Sequence, residues 1–219
     1  MYAGPTQGLD QHPFVMRLLQ HIDLSVDDLK CLEALINDEM SVKRRRDLIV
    51  DGYEFSKLCF LRDGYAVRYK LLRNGKRQIL NVLLPGDLVG IPGSFLKRAI
   101  YSVTAITDLT MNVCSLDSYV QLCYRRPQFG LALTWIAVQE AATYAEHIID
   151  VGRRTPIERL SHFLLELHER CRPCRENEFR PAVFAGSDGR RARPERSPSQ
   201  SHDAEAARRK IDRGQRTPC

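Results

Sequence analysis

The sequence predicts an α+β fold in which an antiparallel β-roll of the jelly-roll type precedes a long helix and the beginning of a smaller domain. Two observations predict the roll, and a third predicts the helix. Gly52, Gly64, Gly75 and Gly86 fall 11 or 12 residues apart and divide this part of the chain into strand-length pieces. The pieces are rich in strand-forming residues, and a heptad pattern of apolar residues follows at 131–149.

Strong turn signals bound the strand-length pieces. Asp-Gly at 51–52 and 63–64 and Asn-Gly at 74–75 favour tight turns, because glycine accepts a positive φ and Asp or Asn tolerates it. Segments 101–106 and 109–113 alternate apolar and polar residues, as strands with one buried face do. Short strands of equal length between turns are typical of a closed roll, which can enclose a small ligand.

Helices are predicted on both sides of the roll. Ser25, followed by Asp27 and Asp28, is a capped helix start ahead of it. After the roll, apolar residues spaced 4, 3, 4, 3 and 4 apart form the seam of a long helix. The seam consists of Leu131, Trp135, Val138, Ala142, Ala145 and Ile149. Because it is narrow and rich in alanine, we expect a homodimer interface, and the alternative is a helix that packs on its own domain.

A further helix is predicted directly afterwards. Thr155 caps it, Pro156 takes its first position and Glu158 completes a capping box. Its apolar residues recur at helical spacing, which predicts a buried stripe. The stripe consists of Ile157, Leu160, Leu164 and Leu167.

The net charge of +6 is unevenly distributed along the 219 residues. Residues 1–167 hold 20 Lys and Arg against 19 Asp and Glu, whereas residues 168–219 hold 13 against 8. The first part is therefore nearly neutral, and charge alone indicates no DNA-binding face there. We interpret the basic run at 43–46 as a solvated connector rather than a phosphate site.

Composition also restricts the class of protein. No apolar run approaches the roughly 18 residues of a membrane span, and the N-terminus lacks a signal pattern. The seven cysteines are odd in number and mostly scattered, which argues against a disulfide scaffold. We therefore expect a cytoplasmic protein with no membrane partner.

The last part of the chain differs in composition from the rest. The first 167 residues contain 26 leucines, whereas the last 52 contain none and hold 12 arginines. Such a segment cannot bury enough apolar surface to offset the entropy of ordering it, so we expect disorder there.

The order of these elements resembles the Crp/Fnr family of bacterial transcription regulators. The resemblance is carried by Leu80–Gly90 with its Pro-Gly-Asp turn, by Ser102–Asp108 and by Gly152–Leu160, and it covers roughly residues 24–170. It implies a cyclic-nucleotide-binding-like roll that senses an effector, a helix that forms the dimer, and a winged helix-turn-helix domain that binds promoter DNA.

On this resemblance the chain has five parts. They are an N-terminal extension (1–23), the sensor roll (24–118), the dimerisation helix (119–152), the start of the winged helix-turn-helix domain (153–170) and an aberrant tail (171–219).

The helix-turn-helix expected at about residue 180 is absent. When synonymous codons for residues 184–213 are read one nucleotide later, they permit two amphipathic helices around a glycine turn. We therefore interpret the tail as the product of a frameshift, real or from sequencing, between about Cys171 and Phe184. The residues that would contact DNA stay undetermined.

The resemblance also indicates where an effector would bind. Relatives that bind cyclic nucleotides have a Gly-Glu-Leu motif, whose Glu takes the ribose hydroxyl, and an Arg about ten residues later for the phosphate. Here the first motif is Gly-Asp-Leu at 86–88, and the Arg position falls on Ala99. The residues assigned to the effector pocket are Gly86, Asp87, Leu88, Arg98, Tyr101 and Ser102. An apolar residue cannot replace the phosphate contact, so the sequence argues against a cyclic nucleotide, without excluding it, and favours an unknown small effector.

Other cofactors are not expected. Iron–sulfur sensing needs several cysteines near the N-terminus, and only Cys31 lies there. Cys171 and Cys174 have the C-x-x-C spacing but no second ligand pair, and we interpret His147 as an interfacial histidine rather than a metal ligand. The roll contains no histidine, phosphate loop or nucleophile motif, so we predict no catalytic or metal site and no enzyme.

Two functions stay open on the sequence. The first is an effector-sensing regulator that binds DNA as a homodimer and whose DNA-reading helix is lost from this chain. The alternative is a truncated sensor and dimerisation module that no longer binds DNA and acts as a decoy, or is a pseudogene product. The target promoters and the direction of regulation do not follow from the sequence.

Overall fold

The structure, a computed structural model, describes residues 11–171 of the chain. The strands are β1 (Asp38–Val42), β2 (Asp47–Ile49), β3 (Lys57–Asp63), β4 (Ala66–Leu71), β5 (Arg77–Leu83), β6 (Leu88–Val89), β7 (Ser102–Ala105) and β8 (Leu109–Ser115). The helices are α1 (Pro13–Leu18), α2 (Val26–Leu35), α3 (Leu116–Arg125), α4 (Gln128–Gly152) and α5 (Pro156–Cys171).

The strands form the predicted antiparallel β-roll, so the fold class is confirmed. Two four-stranded sheets have the orders β1-β8-β3-β6 and β2-β7-β4-β5, and strands distant in sequence close them. Gly64 joins β3 to β4 with a φ of +88°, and a Cβ there would lie 2.2 Å from the carbonyl oxygen of Asp108. The turn therefore requires glycine for both its backbone conformation and its close approach.

Strand β3 is buried on both of its faces. Leu58 and Phe60 pack with the helices, whereas Cys59 and Leu61 pack inside the roll. Successive side chains of a strand point to opposite faces, and here the helices cover the face that points away from the roll interior. The core therefore continues from the roll into the helical layer.

Helix α1 contributes to this core, although it lies in the segment that the sequence analysis assigned to an N-terminal extension. Phe14, Val15 and Leu18 are at most 1% exposed. The ring of Phe14 meets that of Phe60 edge to face, with the ring centroids 4.7 Å apart. Residues 1–10 lie outside the described part of the chain.

Both predicted helix caps are confirmed. Asp28 donates its backbone N–H to the hydroxyl of Ser25 and accepts from the backbone N–H of Ser25, which completes a capping box. Thr155 and Glu158 make the same reciprocal contacts at the start of α5. These interactions satisfy backbone donors that have no partner inside the helix.

The segment 119–152, expected to be a single dimerisation helix, contains a break. Helix α3 ends at Arg125, and α4 begins at Gln128 and runs for 25 residues. Pro127 explains the break, because a proline disfavours helical geometry at the residue before it, here Arg126.

The predicted buried stripe of α5 is wrong for most of its residues. Leu167 is 1% exposed, but Ile157, Leu160 and Leu164 are 79%, 59% and 46% exposed. Only the C-terminal half of α5 packs on the roll, where Leu167 and Phe163 meet a small cluster around Val82. The exposed half contacts α4 through His162, whose Nδ1 lies 2.9 Å from Asp150 Oδ2, while Ile157 and Leu160 stay exposed.

Among the described residues, no helix combines the length and the apolar character needed to cross a membrane. The expected disorder and frameshift of the tail, and Cys174 of the C-x-x-C pair, lie outside the described residues.

Candidate functional site

The space between the roll and α4 is occupied by an arginine of the chain itself. Arg68, on β4, is completely buried, and its Nη2 lies 2.9 Å from Oε1 of Glu140 on α4. Its Nη1 donates to the hydroxyl of Tyr144, and its guanidinium lies 4.4 Å from the ring centroid of Tyr101. Arg68 Nε has no hydrogen-bond partner in the described part of the chain.

This arginine stays charged in its buried position. Burial alone would lower the pKa of Arg68, but Tyr101 and Glu140 raise it above the ordinary arginine value. A buried guanidinium without a counterion is costly, because its loss of hydration is not compensated. Glu140 therefore links α4 to the roll by neutralising Arg68.

A second cluster lies at the Pro-Gly-Asp turn before β6. The carboxylate of Asp87 pairs with Arg17 of α1 and with Arg170 of α5, whose Nη2 lies 2.6 Å from Asp87 Oδ2. The backbone N–H of Leu84 donates to the same oxygen at 2.8 Å. Burial raises the pKa of Asp87, but Arg170 and Arg17 outweigh it and hold that pKa below its usual value.

Asp87 and Glu140 both border one narrow cleft. Its lining residues come from α1, the 86–88 turn and α4, and its free volume is about 20 Å³. A cavity of this size holds about one water molecule, whereas sites for small organic ligands measure roughly 300 Å³ or more.

The residues assigned to an effector pocket are only partly brought together. Gly86, Asp87 and Leu88 line the cleft. Tyr101 is buried against Arg68, and Ser102 is buried and accepts the backbone N–H of Asp51 at 3.0 Å. Arg98, by contrast, is exposed. The structure therefore does not bring Arg98 together with the buried members of the set.

His147 joins α4 to α5 and to the roll. Its Nε2 lies 2.6 Å from Glu166 Oε2, and its Nδ1 lies 3.2 Å from the carbonyl oxygen of Leu80. The hydrogen bond with Glu166 raises the pKa of His147, although burial opposes it. Among the described residues, no group of three or more His, Cys, Asp and Glu could hold a metal ion.

Most residues of the heptad seam face away from the roll. Leu131, Val138 and Ile149 are 67%, 61% and 44% exposed, and Ala142 and Ala145 are exposed as well. Trp135 differs, because it is half-buried and stacks on His21 with ring centroids 4.2 Å apart.

The site predicted from the sequence did not include Arg17, Arg68, Glu140 or Arg170. The alternation of β4 gave a signal for Arg68. Residues 66 and 68 lie on the same face of the strand, and Ala66 packs inside the roll. No local pattern pointed to Arg17, Glu140 or Arg170.

Known proteins resemble this chain in sequence. Residues 39–126 match the model of the cyclic nucleotide-binding domain. The nitrogen fixation regulation protein FixK of Bradyrhizobium diazoefficiens is 32% identical over 108 residues, which are 49% of this chain and 45% of that protein. The transcriptional activator protein FnrL of Cereibacter sphaeroides is 30% identical over 124 residues, which are 57% of this chain and 49% of that protein. The chain thus spans about half the length of these curated relatives.

Solved structures agree with the fold. FixK2 from Bradyrhizobium japonicum has a TM-score of 0.57 at 26% identity, over 61% of this chain and 66% of that one. The catabolite activator protein of Thermus thermophilus has a TM-score of 0.53 at 18% identity, over 61% and 62% of the two chains. The second likeness concerns the fold alone.

Proposed function

From its membership of the Crp/Fnr family, with residues 39–126 as its cyclic nucleotide-binding domain, we propose that this chain is a transcription regulator that works as a homodimer. The names of its relatives, a nitrogen fixation regulator and a transcriptional activator, support a regulatory rather than an enzymatic role. Such a protein acts in the cytoplasm, where its target DNA lies.

The exposed seam on α4 is the observation that carries the homodimer. Leu131 and Val138 are more than half exposed, although they lie in one line on a 25-residue helix. Apolar side chains in such a line gain roughly 1.5 to 3 kcal/mol each when they are buried. Ala142 and Ala145 allow a second helix to approach closely, so another copy of α4 is the partner that fits.

The DNA-binding function rests on α5 and on the chain that follows it. Thr155 caps the first helix of the domain that reads DNA in the resembling family. The exposed Ile157, Leu160 and Leu164 support this assignment, because they form the apolar face that would pack inside such a domain. In an intact domain, a later helix would enter the major groove, and the dimer would contact two half-sites.

The effector is proposed to be a molecule other than a cyclic nucleotide. Arg68 and Glu140 fill the space between roll and α4, and the neighbouring cleft has a volume of about 20 Å³. Arg98 is exposed and Ala99 supplies no charge for a phosphate. We likewise propose that the protein carries no iron–sulfur cluster or other cofactor.

Isothermal titration with cyclic AMP tests this part of the proposal. We expect no binding heat at ligand concentrations up to the millimolar range. Binding in the micromolar range would contradict the proposal, because the ligand would have to displace Glu140 or Arg68.

A gel-shift comparison at fixed salt tests the DNA-binding part. The chain as printed is compared with a version whose reading frame is restored after about Cys171. We expect sequence-specific binding from the restored version and only weak, salt-sensitive binding from the printed chain, because its basic tail contacts phosphates. Absence of specific binding by the restored version would contradict the assignment.

The second candidate function is a sensor and dimerisation module that does not bind DNA. The leucine-free sequence after residue 167 favours it, because that segment carries 12 arginines but little apolar content for a packed domain. Such a chain would pair through α4 with intact copies and reduce their DNA binding. Mixing the printed and restored versions in the same gel shift distinguishes the two candidates.

A further inference from the structure

We propose that Asp87 is an internal latch that holds α5 against the β-roll by binding the guanidinium of Arg170. The turn that carries Asp87 is the one that the sequence assigned to an effector. In this chain the carboxylate is occupied from within, by Arg17 and Arg170. The latch itself is independent of DNA binding, and only its regulatory consequence rests on the proposed function.

Both oxygens of the Asp87 carboxylate are engaged. Oδ1 accepts from Arg17, and Oδ2 accepts from Arg170 Nη2 at 2.6 Å and from the backbone N–H of Leu84 at 2.8 Å. The side chain of Asp87 is only 8% exposed. The backbone N–H of Leu84 therefore fixes the Asp87 side chain in its own turn. The same carboxylate binds one arginine from near the beginning and one from near the end of the described residues.

Arg170 makes further contacts with the roll and with α5. Its Nη1 donates to Asn81 Oδ1 at 3.1 Å, and its Nη2 donates to the carbonyl oxygen of Val82 at 3.0 Å. On its own helix it pairs with Glu166 at 2.9 Å. The guanidinium thus connects the last turn of α5 to β5 and to the Pro-Gly-Asp turn at the same time.

The apolar part of this docking is small. Leu167 is buried against Val67, Val82 and Leu84, with Phe163 partly buried beside it. Ile157 and Leu160, nearer the start of α5, are exposed. A small apolar contact leaves much of the docking free energy to the charged contacts. Removing one partner of a buried ion pair is strongly destabilising, because the other charge is left buried without compensation. Loss of the Asp87–Arg170 pair should therefore strongly weaken the docking of α5.

The latch gives the roll a direct connection to the helix that follows the dimerisation helix. While Arg170 is bound, α5 is fixed on β5, and the direction of the chain beyond it is fixed as well. A ligand that takes Asp87 from Arg170 favours the released state by its difference in affinity for the two states. Asp87, which lies at the position that would contact an effector in relatives, is thus coupled to the docking of α5 on the roll.

Amide hydrogen exchange on the whole chain, followed by mass spectrometry, tests the latch. Arg170→Met is compared with Arg17→Met, since each removes one arginine from the same carboxylate. We expect Arg170→Met to speed exchange in α5 by about 10- to 100-fold and to leave β3 and β8 unchanged. Arg17→Met is expected to speed exchange in α1 and to leave α5 protected.

Two results with Arg170→Met would overturn the latch. One is equal protection of α5 in the unchanged chain and in Arg170→Met. The other is faster exchange in β3 as well as in α5, since Arg170 would then support the whole fold. Asp87→Asn provides a second variant, expected to loosen α1 and α5 together, and an unchanged α5 in it would also contradict the proposal. The exchange experiment contains no DNA. Its result therefore does not depend on whether the gel shift detects specific binding.

Discussion

Helix α4 presents hydrogen-bonding side chains to the roll beside the core residues Phe129 and Ala132, and it presents a line of apolar side chains to solvent. Toward the roll, Glu140, Tyr144 and His147 each have a hydrogen-bonded partner inside the same chain. Toward solvent, Leu131 and Val138 are 67% and 61% exposed. The polar face is completed within one chain, whereas the apolar face gains stability only when another surface covers it. The polar face therefore joins α4 to the roll, and the apolar face is the surface available to the proposed second copy.

Removing the carboxylate from the polar face has the largest expected effect. Glu140→Ala leaves Arg68 charged and buried, and it should lower the free energy of unfolding by about 3 kcal/mol. This value lies at the low end for buried pairs, because Glu140 keeps 22% of its side-chain surface exposed. Urea unfolding of the two proteins measures the difference.

The matched control replaces both partners together. Arg68→Leu combined with Glu140→Leu should recover most of the lost stability, because no uncompensated charge is left. A double variant as unstable as Glu140→Ala would show that the pair does not link α4 to the roll as described.

A charged residue on the apolar face of α4 should weaken dimerisation and leave the folding of the single chain unchanged. Val138→Asp should weaken the dimer by about 100-fold or more, because the carboxylate would lose its hydration between two helices. Sedimentation equilibrium measures the dissociation constant. Ala137→Asp serves as control, since residue 137 is exposed but lies off the seam. Equal effects of the two variants would contradict the proposal that the seam forms the dimer interface.

The contact between α4 and α5 should depend on pH through His147. Its pKa is raised in the folded protein, chiefly by the hydrogen bond with Glu166, so protonation and docking support each other. The stabilisation should be fully present below the ordinary pKa of 6.5 and should fall as pH rises through the higher folded value. The other charged groups near His147 are Asp150, Glu166 and Arg170. The pKa of Glu166 is lowered in the folded protein, so its contribution to stability is lost only at acidic pH.

Exchange rates of α5 measured from pH 6 to 9, after correction for intrinsic rates, check this dependence. The variant His147→Gln should show no such change. If the variant and the unchanged chain respond equally to pH, another group is responsible.

The smallest effect is expected at Arg98, which belongs to neither face of α4. Its side chain is exposed, so Arg98→Ala should change the free energy of unfolding by less than about 0.5 kcal/mol. Thermal unfolding checks it. A large loss of stability would contradict this and would show that Arg98 supports the roll.

Local patterns explain which features the sequence predicted. The turn at Gly64 and the caps at Ser25 and Thr155 depend on residues close in sequence, so their structures follow from short motifs. The break before α4 was also available locally, since Pro127 disfavours helix at the residue before it.

Long-range contacts explain what the sequence did not reveal. Arg68 and Glu140 are 72 residues apart, and Asp87 and Arg170 are 83 apart. The pairing of charges over such distances leaves no periodic signal. The stripe of α5 was misjudged for a related reason: spacing predicts that Ile157 and Leu160 share an apolar face, but not whether their partner belongs to the described chain.

The most direct test of the account is the molar mass of the whole chain in solution, measured by light scattering after size exclusion. A homodimer formed through the exposed face of α4 should appear as a species of twice 25.1 kDa at micromolar concentration. A single species of 25.1 kDa at up to about 100 μM would contradict it, since a buried seam of this kind supports at least micromolar affinity.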